Sequence, residues 1–224
     1  MNAKQIANLL EKYKTYLQQK PTEWLHLWET QAIFQQKWNL ETSDFLTMYN
    51  ESLQNTHTKR LWKRRAYEPK RMMMAFMEMA PDVVMQMFQD LLNENKTLDG
   101  RLGRFIFYCD ELLAEFKSNK PLSIDNNHYH QNDYEMISLY LSFVYPDKYA
   151  PYHHEKFVKM MGEIGAVNPP LVPDMERFAK VCRTLYKMMQ RDEELMRLHQ
   201  NRLIPKESFE GDSLLLVYEF YMTI

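Results

Sequence analysis

The 224-residue chain contains 28 lysines and arginines against 30 aspartates and glutamates, which gives a formal net charge of −2, and it has only five glycines. An average composition would include about 16 glycines, and all five of these follow residue 99. Tight turns and phosphate loops need glycine, so the composition excludes a Gly-rich nucleotide loop and argues against Rossmann and β-sandwich folds.

Apolar side chains recur at helical spacing along most of the chain, which predicts an all-α fold of about ten helices. The first helices are expected over 2–19, over 23–38 and from Phe45 onwards. Pro69 and Pro81 suit the first turn of a helix and predict helices that run to about residues 79 and 93. A further helix is predicted over 98–117.

The polar stretch 118–132 is the longest candidate loop in the sequence. After it, helices are predicted over 134–144, over 153–163 with Gly165 as a C-cap, and from a cap at Asp174 to about residue 202. The last segment, 213–224, has strand propensity, but its context favours a helix. We predict one helical domain over 1–224, either undivided or with lobes 1–117 and 133–224 joined by the loop.

Several apolar residues are predicted to be buried. Cys109 and Cys182 lack a paired spacing and are expected to be buried thiols in a reducing compartment. The methionine run at 72–74 favours core packing over an adaptable contact surface. Four aromatic residues around the turn at Pro146 are expected in the core, namely Tyr140, Phe143, Tyr145 and Tyr149.

The strongest electrostatic feature is the segment 59–71, KRLWKRRAYEPKR, in which seven residues are Lys or Arg and one is Glu. Its local charge of +6 leaves −8 for the other 211 residues. Cationic side chains interleaved with aromatic rings suit a surface that contacts phosphates and stacks on bases. The sequence therefore predicts a nucleic-acid site composed of Lys59, Arg60, Trp62, Lys63, Arg64, Arg65, Tyr67, Lys70 and Arg71.

Two alternatives to that site stay open. A charged run is most often a solvated face, and a pI of about 6.4 argues against a dedicated nucleic-acid binder. Trp62 is as compatible with a core position as with base stacking.

The sequence contains no motif that predicts a catalytic or metal-binding site. The sequence has no P-loop, serine-hydrolase or zincin motif, so neither catalytic residues nor a cofactor are predicted. His128, His130, His153 and His154 lack the short-range spacing of zinc ligands, and we expect loop and cap histidines and no metal. The G-x-x-G at 100–103 matches the KH loop, but its helical flanks favour the start of a helix.

No apolar run in the sequence approaches the length of a membrane span. The longest, 72–77, has six residues, whereas a span needs roughly 20. Charges interleave with the apolar residues of the N-terminus, unlike a secretory signal. We expect a cytoplasmic protein with no membrane partner.

A series of longer motifs follows in a familiar order. An LW…Q..F…W……F…M…SL pattern covers 24–53, and LDGRLGRFIFYCD covers 98–110. The most specific motif of the series is SLYLSFVYPDKY at 138–149, and it is followed by LLLVYEFYMTI at 214–224. Between them lie Leu61-Trp62, Tyr67-Glu68-Pro69, MFQDLL at 87–92 and His128-Tyr129-His130. This order resembles the N-terminal region ahead of the AAA+ module in bacterial McrB-like proteins, the NTPase subunits of modification-dependent restriction systems.

The resemblance implies a target-recognition module for restriction and antiviral defence. In that family the AAA+ ring uses GTP or ATP and recruits a separate nuclease, while the N-terminal domain selects the target, often modified DNA. The implied partners are DNA, the AAA+ motor module and the nuclease subunit. Because the sequence reaches Ile224 without a Walker motif, we expect a non-catalytic excised domain or stand-alone paralogue that hydrolyses neither GTP nor ATP. The alternative is a protein-interaction module that docks a partner subunit or senses a phage or host protein.

Overall fold

A computed structural model describes residues 2–56, 68–121, 128 and 134–224 of the chain. Within those ranges there are eleven α-helices and no strands, which confirms the all-α prediction. In chain order the helices are α1 (Ala3–Gln19), α2 (Leu25–Lys37), α3 (Phe45–Ser52), α4 (Pro69–Met79), α5 (Pro81–Leu91), α6 (Leu98–Asn119), α7 (Glu135–Val144), α8 (His154–Glu163), α9 (Met175–Met189), α10 (Glu193–Arg202) and α11 (Leu215–Thr223).

The helix starts follow the capping signals of the sequence. Asp44 and Asp174 accept hydrogen bonds from backbone N–H groups in the first turns of α3 and α9, which satisfies donors that have no intrahelical partner. Pro69 and Pro81 occupy the first turns of α4 and α5, where a missing N–H costs nothing. Gly165, with φ +62°, follows α8 in the left-handed conformation that favours glycine. The terminal segment forms a helix, as its context predicted.

The single helix predicted from Asp174 to about residue 202 is wrong, because the chain forms α9 and α10 there. The backbone turns after α9, and the Asp192 carboxylate accepts the N–H of Leu195 at 3.0 Å as the N-cap of α10. Met188 and Leu195 are seven residues apart, which continues the apolar spacing of α9 across the break, and Leu195 is buried. The periodicity therefore runs across the break, and only the acidic run at 192–194 marks a new helix start.

By its internal contacts the chain divides into two compact units. Unit 1 comprises Met1–Ala32 and Ser138–Ile224, and unit 2 comprises Ile33–Ile137. This division differs from lobes at 1–117 and 133–224, since the first 32 residues belong with the C-terminal part of the chain. The boundaries fall inside α2 and α7, not in the loop at 118–132 that was expected to join two lobes.

Unit 1 contains the contacts of α1 with α10 and of α11 with α8 and α9. The apolar stripe predicted on α1 is buried throughout, namely Ile6, Leu9, Leu10, Tyr13 and Leu17. Tyr140, Phe143 and Tyr149 are buried as expected, whereas Tyr145 is half-exposed and lies beside Tyr149, with ring centroids 6.2 Å apart.

Unit 2 is built from the mutual contacts of α3, α4, α5 and α6. The Phe88 ring lies at its aromatic centre, with centroids between 5.3 and 6.0 Å from those of Phe105, Trp38, Phe45 and Tyr49. The core prediction for the methionine run is confirmed at two of its three positions, since Met72 and Met73 are buried and Met74 is half-buried. Both cysteines are buried free thiols, Cys109 in unit 2 and Cys182 in unit 1.

Candidate nucleic-acid interface

The predicted nucleic-acid site lies largely outside the described residues. That applies to Lys59, Arg60, Trp62, Lys63, Arg64, Arg65 and Tyr67. Lys70 and Arg71, the other two members, lie in the first turn of α4. The described structure therefore tests the site at its C-terminal end alone.

Arg71 has the exposure that a phosphate contact requires. Its side chain is 81% exposed, and its Nη1 lies 3.3 Å from the Glu68 carboxylate three residues earlier. An exposed ion pair of this kind contributes at most about 1 kcal/mol. A phosphate can therefore replace Glu68 as the partner of Arg71 at little cost.

Lys70 has the opposite environment, because its amine is bonded within the protein. The residue is 9% exposed, and its Nζ donates hydrogen bonds to the backbone carbonyls of Leu53 and Asn50 at 2.8 and 2.9 Å. An amine in that position faces the protein interior. Of the two placed members of the predicted site, only Arg71 therefore presents its charge to solvent.

The acceptors of Lys70 lie at the C-terminal end of α3, where Leu53 is the C-cap. The last carbonyls of a helix have no intrahelical donor and carry partial negative charge, so a lysine there supplies both hydrogen bonds and charge. Burial nevertheless disfavours the ammonium form and lowers the pKa of Lys70 to about 8. Lys70 is therefore charged at neutral pH but close to its titration range.

His128 contacts the same end of α4. Its ring is fully buried, and its Nδ1 lies 2.8 Å from the carbonyl oxygen of Pro69, the residue before Lys70. A carbonyl only accepts, so Nδ1 carries the proton. The ring also lies 5.9 Å from that of Phe105 in α6. His128 is thus a buried structural residue and not the polar loop histidine that was expected.

The remaining histidines of the two pairs have separate roles. His153 is the N-cap of α8, and its ring accepts the N–H of Lys156 at 3.5 Å. The ring of His154 lies 2.6 Å from the hydroxyl of Tyr152, while His130 lies outside the described residues. Over the part of the chain that the structure covers, no group of three His, Cys, Asp or Glu side chains has the arrangement of a metal site.

The G-x-x-G at 100–103 lies in the first two turns of α6, which begins at Leu98. Both glycines have helical neighbours on either side, so they do not form the loop with which a KH domain clamps a nucleic-acid backbone. The prediction of a helix start at this motif is confirmed.

A buried polar cluster in unit 1 was missed by the sequence analysis. The carboxylate of Glu219 is fully buried and accepts hydrogen bonds from Arg202 Nη2 at 2.6 Å, Trp28 Nε1 at 2.5 Å and Tyr13 Oη at 3.0 Å. The imidazole of His199 packs against Trp28 with centroids 4.5 Å apart. Burial and the neighbouring Arg202 lower the pKa of His199 to about 3, which keeps it neutral. The sequence feature that could have predicted this cluster is Glu219, a single acidic residue within the otherwise apolar C-terminal segment.

An exposed apolar loop connects α8 to α9 in unit 1. Val167, Leu171 and Val172 expose 78%, 95% and 69% of their surface. Arg177 Nη2 donates to the carbonyl of Val167 at 3.2 Å, and Asp174 caps the helix that follows. The loop therefore presents aliphatic side chains between a hydrogen-bonded carbonyl at Val167 and the cap of α9 at Asp174.

Comparisons with known proteins find no match to this chain among family models, curated proteins or solved structures. The McrB-like resemblance accordingly depends on the motifs quoted above. Over the described ranges, none of the helices combines the length and the apolar composition needed to cross a membrane.

Proposed function

We propose that this chain is a non-catalytic DNA-recognition module of a McrB-like restriction or defence system, acting in the cytoplasm. The observation that carries the proposal is the segment 59–71, which has a charge of +6 in a chain whose other residues sum to −8. A protein of net charge −2 can bind the phosphate backbone only by concentrating its cations. The exposed Arg71 supports the proposal at the one end of the segment where a side chain is placed.

The set of phosphate contacts is smaller than the count of basic residues. Lys70 is occupied by backbone carbonyls, which leaves Lys59, Arg60, Lys63, Arg64, Arg65 and Arg71. Three to five simultaneous contacts are expected, because one face of a short segment meets the backbone. Each neutralised phosphate contributes about −0.9 to the slope of log affinity against log salt concentration, so the slope should lie between about −3 and −4.5.

The test is a triple charge reversal within the segment. Lys63→Glu, Arg64→Glu and Arg65→Glu together should abolish binding to a labelled duplex, measured by fluorescence anisotropy from about 50 to 200 mM salt. The matched control reverses Lys4, Lys12 and Lys180, three exposed lysines of unit 1, and changes the net charge equally. Equal losses in both variants would indicate non-specific attraction and contradict the proposed site.

Trp62→Ala separates base stacking from packing. A stacking ring predicts a loss of about 1–3 kcal/mol in binding with little change in the free energy of unfolding. A core ring predicts the opposite pattern. Urea unfolding and anisotropy on the same sample distinguish the two.

The exposed loop between α8 and α9 favours a second candidate, a protein-interaction module. Neighbouring exposed aliphatic side chains are typical of surfaces that pack into an apolar pocket of a partner. This function is the better account if the wild-type chain has no measurable DNA affinity at low salt. Leu171→Asp with Val172→Asp should then weaken binding to the AAA+ or nuclease subunit that the resemblance implies, measured with purified components.

A further inference from the structure

A groove of about 420 Å³ lies on the surface of unit 1, between the first turns of α1 and the junction of α9 with α10. Its floor is apolar and consists of Ala3, Ala7 and Leu10 from α1 and Met188 from α9. Ala3 and Ala7 are one turn apart on the same face of α1. Because their side chains end at Cβ, they leave space that larger residues would fill. The volume lies within the range of about 300–1,000 Å³ that is usual for ligand-binding clefts.

The rim of the groove is acidic. Glu11 borders it on α1, and Asp192 and Glu193 border it at the start of α10. Glu11 exposes 68% of its side chain, while Glu193 is exposed and has no ion-pair partner among the residues that the structure describes. Arg191 is the one cation among the lining residues. Three carboxylates against one guanidinium give the lining a net charge of −2.

The neighbouring Lys14 does not neutralise this surface. Its side chain is 10% exposed, and its Nζ lies 2.7 Å from the Glu11 carboxylate and 3.3 Å from that of Asp192. It also lies 3.1 Å from the Glu194 carboxylate, so one ammonium is shared by three acids. The hydrogen bond to Glu11 is the main cause that raises the pKa of Lys14. Adding Lys14 and Glu194 to the sum changes it by +1 and −1, so the surface keeps its charge of −2.

We propose that this groove docks a cationic segment of a partner protein, whose arginine or lysine places its aliphatic stem on the apolar floor and its charged head at the acidic rim. Long basic side chains have both properties that the groove matches, since their stems cover apolar surface while their heads stay charged. Opposite charges on the two partners also orient the segment as it approaches. The inference goes beyond the proposed function, because an acidic surface repels the phosphates of DNA.

The probe for this site is a fluorescein-labelled, alanine-based helical peptide that carries two arginines one turn apart. Its binding to the full chain is measured by fluorescence anisotropy. Two matched peptides have norleucine or glutamate in place of arginine, and we expect them to bind at least about tenfold more weakly, because they lack the cation. If the arginine peptide does not bind, or if the norleucine peptide binds equally well, the proposal is wrong.

Glu193→Lys tests the charge of the rim. It should weaken binding of the arginine peptide about tenfold, because it replaces an attraction with a repulsion. Glu207→Lys changes the net charge equally at an exposed residue of unit 1 that does not line the groove, and it is the matched control. Equal losses in the two variants would show non-specific attraction and overturn the proposed site.

Ala7→Leu tests the shape of the groove without a change of charge. The larger side chain occupies the floor and should weaken binding of the arginine peptide about tenfold. Asn8→Leu adds the same side chain at the next position of α1, which does not line the groove, and should leave binding unchanged. Urea unfolding verifies that both variants fold, and equal effects of the two leucines on binding would contradict docking in the groove.

Sedimentation of the same variants distinguishes a partner protein from a second copy of this chain. If the wild-type chain associates with itself, and Ala7→Leu but not Asn8→Leu prevents this, the occupant is a second copy and the proposal is overturned. None of these measurements includes DNA. The groove can therefore fail while the proposed function stands, and the reverse also holds.

Discussion

Lys70 and Arg71 are adjacent cations in the first turn of α4, and their environments are opposite. Successive helical residues point about 100° apart, so Lys70 is directed to the end of α3 while Arg71 is 81% exposed. Nothing in the sequence distinguishes them, because the acceptors of Lys70 are backbone carbonyls and every residue has one. The charge pattern of the sequence thus identified the basic segment. Which of its basic side chains are exposed and which are buried could be learned only from their contacts in the structure.

At the same scale, His199 should make the protein acid-sensitive. Its folded pKa is about 3 against a usual value of 6.5, so between these values the unfolded state binds one more proton. The free energy of unfolding should therefore fall as the pH drops, by about 2 kcal/mol from pH 6.5 to 5. Urea titrations across this range measure the effect.

His199→Gln is the control for that pH dependence. Gln does not titrate, so the variant should have a flatter profile between pH 6.5 and 5 while sharing the carboxylate contributions of the wild type. A variant that retains the full pH dependence would show that His199 does not have the lowered pKa.

At the scale of elements, α7 and the turn after it are held by polar contacts as well as by apolar packing. Ser138 Oγ accepts the N–H of Tyr152 at 2.7 Å, and the carbonyl of Ser142 accepts from Gln31 at 3.2 Å. The turn after the helix is held too, since the N–H of Leu214 donates to the carbonyl of Pro146 at 2.7 Å. The SLYLSFVYPDKY motif therefore consists largely of residues that pack within unit 1, and its buried residues are not candidates for a binding surface.

Phe143→Ala tests that role of α7. The ring is fully buried, so its removal should lower the free energy of unfolding by about 3–5 kcal/mol through lost burial and a residual cavity. Tyr145→Ala, two residues later and half-exposed, is the control and should cost less. The measurement is urea unfolding with an unchanged m-value, and a near-neutral Phe143→Ala would place the block on the surface instead.

At the scale of the whole molecule, residues from the beginning of the chain pack with residues from its end. Tyr13 of α1 and Trp28 of α2 donate to Glu219 of α11, which is also paired with Arg202 of α10. Lys14 adds a more exposed connection between α1 and α10 through Glu194, at 3.1 Å. These contacts explain why unit 1 is formed from two separate stretches of the sequence.

Arg202→Met tests how strongly that buried cluster stabilises unit 1. The Glu219 carboxylate would lose its cation in a fully buried site, which should cost about 3–5 kcal/mol of unfolding free energy. Adding Glu219→Gln should recover part of the loss, because Gln keeps an acceptor for Tyr13 and Trp28 without the charge. A double-mutant cycle in urea measures the coupling, and additive losses would contradict a direct pair.

The sequence by itself determined the helical class, most helix starts and the apolar stripes, because caps, prolines and a 3.6-residue period are local properties. It also located the basic segment, since charge is read from composition. Only the tertiary structure decided that Lys70 is buried, that α9 and α10 are separate, and that residues 1–32 belong with 138–224. Those outcomes depend on which residues, distant in the sequence, come into contact. The acceptors of Lys70 and the donors to Glu219 lie far from them in the chain, and no local sequence pattern identifies them.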